Sequence, residues 1–90
     1  MTFEWDPIKA FTNLRKHGVS FEEATTALLD SLSKTARDMD HSVYEQRFLT
    51  FGVSWRNRLL AVSYIERRRN IRIISARLAT LRERRIYEEN

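Results

Sequence analysis

Phe3-Glu4-Trp5 alternates apolar and polar positions and predicts a brief strand. Asp6-Pro7 places an N-cap residue before a proline at the first helical position, which starts a helix. Ile8, Phe11 and Leu14 give that helix an apolar side. Lys16 and His17 fall in its last turn and Gly18 is a natural left-handed stop, so it spans Pro7–His17. Ser20-Phe21-Glu22-Glu23 has the form of a capping box, in which hydroxyl and carboxylate satisfy opposite orphan amides. Phe21, Ala24 and Leu28 carry this second helix to Asp30, and Val19 can staple onto it.

Strand-like segments follow at Ser33–Ala36, Arg47–Ser54, Leu59–Glu66 and Ile71–Arg77. The connectors Trp55–Arg58 and Arg67–Asn70 are short and polar, as antiparallel hairpins require. Alternation along the last strand places Ile71, Ile73, Ser75 and Arg77 on one face and Arg72, Ile74 and Ala76 on the other. Thr80-Leu81-Arg82-Glu83 is a second capping box and opens a basic helix to about Glu89. The order β-α-α-β-β-β-β-α groups helices and strands instead of alternating them. The expected fold is α+β, with two N-terminal helices and a C-terminal helix packed on a mainly antiparallel sheet, in a single domain over residues 1–90.

Charge sharpens this picture. Thirteen of the 90 residues are arginine, and eight of those lie between Glu66 and Arg85 against only two glutamates, a local charge of +6 in a chain of net +4. Guanidinium binds phosphate through a planar fork that ammonium cannot reproduce, so a polyanion is the expected partner and nucleic acid the first candidate. The absence of cysteine excludes disulfides and thiolate metal sites. Neither a secretory signal nor a membrane-spanning apolar run is visible, and a cytoplasmic location is expected.

RNA can be cut without a metal when a base deprotonates a 2′-hydroxyl, a cation stabilises the phosphorane and an acid protonates the leaving 5′-oxygen. His17, His41, Glu45 and Glu66 could move protons, and arginines could supply the charge. No P-loop pattern, nucleophile elbow or H-E-x-x-H motif is present, and no metal or other cofactor is expected. His17 can equally be a helix-terminal cation favoured by the dipole, and His41 and Glu45 can equally be solvated loop residues. Arg77 ends its strand and must meet either phosphate or a carboxylate such as Glu66, because an unpaired buried arginine costs several kcal/mol. Arg72 carries no such requirement on a half-exposed strand. Lys16, Arg47, Arg82, Arg84 and Arg85 complete the candidate RNA ligands, with the face of the last helix open to an RNA or to an acidic partner segment. Trp5 could stack on a base or belong to the core, and Tyr64 and Tyr87 raise the same alternative.

The pieces F-E-W-D-P at Phe3–Pro7, N-L-R-K-H-G-V-S-F-E-E-A at Asn13–Ala24, D-H-S at Asp40–Ser42 and E-Q-R-F at Glu45–Phe48 stand in one collinear order. I-R-I-I-S-A-R at Ile71–Arg77 and R-E-R-R-x-Y-E-E at Arg82–Glu89 continue it. Together they resemble the BrnT toxins of bacterial type II toxin–antitoxin systems. The resemblance implies a RelE-like α+β fold and a small ribonuclease that arrests translation. It further implies a BrnA-like antitoxin with a ribbon–helix–helix half that neutralises the toxin in a hetero-oligomer and alone contacts operator DNA. The turn Arg67–Asn70 departs from the pattern, since resembling chains often carry a glycine there. The alternative from charge alone is a non-catalytic RNA- or ribosome-binding domain.

Overall fold

The computed structural model describes residues 2–38 and 45–89. In chain order the elements are β1 (Thr2–Glu4), α1 (Pro7–His17), α2 (Phe21–Leu28), β2 (Lys34–Arg37), β3 (Arg47–Val53), β4 (Leu59–Arg67), β5 (Asn70–Leu78) and α3 (Leu81–Glu88). The predicted order of helices and strands is therefore the observed one. The strands form one sheet in the order β1-β5-β4-β3-β2. Three pairings are antiparallel, while β1 joins β5 in parallel, so the sheet is mixed.

Local signals act where the sequence places them, with one exception. The Asp6 side chain accepts from the Ile8 amide, and Gly18 closes α1 at φ 70° with its N–H donating to the Leu14 carbonyl. Thr80 and Glu83 form a complete capping box at α3. At α2 only half of the expected box forms. The Ser20 hydroxyl accepts from the Glu23 amide, but the Glu23 carboxylate turns inward to the Ser54 hydroxyl (2.7 Å) and the Arg58 guanidinium (Nε, 2.9 Å). Glu23 is 2% exposed, and a charge at that depth needs an ion pair more than an amide needs its carboxylate. The β4–β5 turn holds Arg68 at φ 54°, the left-handed conformation that glycine adopts most readily.

The sheet buries both faces unequally. Leu60, Val62 and Tyr64 of β4 join Ile71, Ile73 and Ala76 of β5 against Val19, Phe21, Ala24 and Ala27, which is the main core. Trp5 packs edge-on to Phe21 at 6.0 Å, so it belongs to this core. On the opposite face Phe51, Leu59 and Ala61 form a smaller cluster under Ala79 and Tyr87. α3 buries no residue completely and is also held by polar links: Tyr87 donates to Asp30 (2.6 Å), Lys34 donates to the Glu89 carbonyl, and Arg77 pairs with Glu83.

Two sequence expectations change here. Tyr64 pairs with Ile73 while Ser63 pairs with Ser75, so Ile74 is an extra residue, a β-bulge. The bulge resets the alternation: Ile71, Ile73 and Ala76 face the main core, whereas Arg72, Ser75 and Arg77 share the other face. The expected apolar side of α1 is also displaced, with Ile8, Phe11 and Leu14 at 75%, 61% and 48% exposure. α1 instead docks through Asn13. Its Nδ2 donates to the carbonyls of Val19 (2.9 Å) and Ala76 (2.8 Å), and its Oδ1 accepts from the Ala76 amide (3.1 Å). β1 ends at Glu4 opposite Arg72, so beyond that point Asn13 takes the place of a neighbouring strand on the outer edge of β5.

Candidate nucleic-acid interface

On the face of the sheet that carries α3, the helix lies over one end, where Ala79 and Tyr87 pack on Phe51, Leu59 and Ala61. At the other end the register aligns Glu4, Arg72, Ile65 and Arg47 in one row across β1, β5, β4 and β3. Ser63 and Ser75 pair in the adjoining row, and Arg77 lies beyond them opposite Ala61. At about 3.3 Å per strand residue, Arg72 and Arg77 lie roughly 15 Å apart along β5. The result is a floor with guanidiniums at both ends, the hydroxyls of Ser63 and Ser75 between them, and Ile65 buried between Arg47 and Arg72.

Arg72 and Arg77 on this floor are each held by a carboxylate. Arg72 Nη1 donates to Glu4 Oε2 at 2.9 Å. Arg77 makes a two-point contact with Glu83, Nη1 to Oε1 at 2.7 Å and Nη2 to Oε2 at 3.0 Å, the fork geometry that it would also offer to phosphate. The hydrogen bond from Arg77, assisted by the Thr80 amide, holds the Glu83 carboxyl below its ordinary value against the opposing effect of burial. Glu83 in turn raises Arg77, which stays charged throughout. Arg82, Arg84 and Arg85 are exposed on α3, and none meets a carboxylate at ion-pair distance among the described residues.

The sequence candidates divide between the two sides of the sheet. Arg47, Arg72 and Arg77 come together on the floor, and Glu45 is tied at its margin to Arg67 (3.0 Å). Glu66 does not join them. It shares the alternation of Tyr64, on the opposite face, and lines a depression with Gln46, Phe48 and Arg68. The carboxylate that meets Arg77 is therefore Glu83, which the capping box presents six residues later; the sequence signal for that partner was the box itself. His17 and Lys16 lie on α1 and line a groove against Ile74 and Ser75 at the outer edge of β5, and Arg77 is not among its lining residues. His41 falls outside the described residues. Tyr64 is buried, bonding Thr50 (3.0 Å) and stacking on Phe48, and Tyr87 is engaged by Asp30, so neither presents a free stacking platform. Among the described residues no three His, Cys, Asp or Glu side chains cluster as a metal site would require, and no helix is long and apolar enough to cross a membrane.

Comparison with known proteins decides the family. The family model described as "Ribonuclease toxin, BrnT, of type II toxin-antitoxin system" matches residues 5–83. The chain belongs to the BrnT toxin family. As a BrnT-family protein it is the toxin half of a pair, with an antitoxin as partner, and the family is named for ribonuclease activity. The 1.1 Å crystal structure of the Brucella abortus ribonuclease toxin, BrnT, superposes with a TM-score of 0.68 at 24% identity, covering 89% of this chain and 97% of that one. At that identity the likeness speaks for the fold alone. No curated protein sequence matches the chain.

Proposed function

We propose that this BrnT-family toxin is a metal-independent, RelE-like endoribonuclease that lays single-stranded RNA across the arginine floor. The observation that carries the reading is the placement of Arg47, Arg72 and Arg77 on one face of the sheet, where the bulge at Ile74 turns Arg77 to the same side as Arg72. A ribose 2′-oxygen attacks the adjacent phosphorus, the P–O5′ bond breaks, and the products are a 2′,3′-cyclic phosphate and a 5′-hydroxyl. Arg77 exchanges its contact with Glu83 for the developing charge on the phosphorane. Arg47 and Arg72 hold flanking phosphates, Arg82, Arg84 and Arg85 extend the path over α3, and Lys16 adds a ligand from α1. A base takes the 2′-proton and an acid delivers one to the 5′-oxygen; Glu45, His17 and His41 are the candidates for these two roles.

The toxin acts in the cytoplasm, arrests translation by cleaving RNA, and is neutralised there by a BrnA-like antitoxin whose ribbon–helix–helix half reaches operator DNA. Incubating the purified protein with RNA in EDTA tests the chemistry. Cleavage that survives chelation and leaves cyclic phosphate ends supports it. A gel shift without cleavage selects a non-catalytic RNA- or ribosome-binding domain.

A further inference from the structure

The groove between α1 and the outer edge of β5 has a composition of its own, of which the ribonuclease reading draws only on Lys16 and His17. It encloses about 300 Å³ and is lined by Lys9, Lys16, His17, Thr12 and Ser75 over an apolar wall of Ile8 and Ile74. Two ammonium groups, an imidazole and two hydroxyls meet there with no carboxylate in the lining. Lys9, Thr12 and Lys16 recur at helical spacing, so one face of α1 presents all three together. The groove exists because β1 stops at Glu4: the edge of β5 beyond Arg72 has α1 beside it instead of a strand, and Asn13 ties that edge down at Ala76. Ser75 connects the two regions, since it shares the face of Arg77 and also lines the groove.

We propose that this groove is a second RNA subsite, which holds a backbone phosphate of a strand that leaves the arginine floor around the bulged edge of β5. The proposal rests on the ribonuclease reading and extends it: the strand is gripped on both sides of the sheet, and Lys9 and Lys16 are the ligands on the second side. The cations and hydroxyls match phosphate and ribose oxygens.

Binding of an uncleavable 2′-O-methyl RNA of about a dozen nucleotides, followed across salt concentrations, tests this independently of cleavage. Lys9→Ala/Lys16→Ala is expected to keep the melting temperature, because both side chains are exposed, and to flatten the slope of log affinity against log salt by about 1.4, two contacts at about 0.7 each on a single strand. Arg37→Ala/Arg56→Ala removes the same charge outside both surfaces and is expected to leave the slope unchanged. An unchanged slope in the lysine variant, or an equal fall in both variants, overturns the subsite while leaving the floor in place. A lysine variant that keeps its RNA slope but loses antitoxin assigns the groove to protein and overturns it equally. Wild-type protein that binds no RNA at any salt overturns the ribonuclease reading and the subsite together.

Discussion

Arg77 and Glu83 face each other across the β5–α3 junction with two parallel N–H···O contacts of 2.7 and 3.0 Å. The same carboxylate closes the capping box by accepting from the Thr80 amide at 3.0 Å, so one side chain starts α3 and aims the guanidinium. A helix with no fully buried residue depends on such links, which makes the pair structural as well as positional.

Glu83→Gln is therefore expected to destabilise the protein by about 1–2 kcal/mol near neutral pH, the range of a partly exposed charge-assisted bond. The native Glu83 carboxyl is held below its ordinary 4.5, first by the Arg77 hydrogen bond. Its stabilisation is present above that value and is lost as pH falls through the lowered native one. Denaturant melts of wild type and Glu83→Gln should differ at pH 7 and converge in acid. A gap that persists in acid assigns the effect to packing instead.

Asn13→Ala removes three hydrogen bonds and leaves the Ala76 amide and the carbonyls of Val19 and Ala76 without their partner in a buried setting. A loss of about 2–4 kcal/mol is expected. Hydrogen exchange should report it first at the Ala76 amide, because among the described residues no strand pairs with that edge of β5 beyond Arg72. Unchanged protection there contradicts the docking role of Asn13.

Gly52→Ala should be costly for a different reason. A β-carbon at Gly52 would lie 2.2 Å from the Ala27 carbonyl oxygen, a backbone atom that cannot rotate away. The C-terminus of α2 must then lift from β3, and a loss of about 2–3 kcal/mol in thermal or denaturant unfolding is expected. Wild-type stability would show that α2 sits further from the sheet.

Sequence was most informative where the signal is local. Asp6-Pro7, Gly18, Ser20 and Thr80 each mark a helix boundary through a contact within a few residues, and each appears at its expected place. Features set by distant partners were hidden. The bulge at Ile74 depends on the facing strand β4, so simple alternation put Arg77 on the wrong face. The inward turn of Glu23 depends on Arg58, 35 residues away. The exposure of Phe11 and Leu14 follows from Asn13, a polar residue in the position of a core anchor. At the candidate site, residues that share β5 and its neighbours were brought together, while Glu66 was separated from Arg77 by the parity of β4.

The strand-end position of Arg77 would by itself make Arg77→Ala harmless to the fold, but its bond to Glu83 means that both variants loosen α3. That coupling supplies the control for the central claim, that Arg77 acts on the scissile phosphate. The measurement is the single-turnover cleavage rate of one RNA by wild type, Arg77→Ala and Glu83→Gln at matched folded fraction. Arg77→Ala is expected to fall by about 10²–10³, the typical loss for one donor to a developing oxyanion, while Glu83→Gln keeps its guanidinium and stays within about tenfold of wild type. Equal rates in the two variants would contradict the claim and leave Arg77 as a brace for α3.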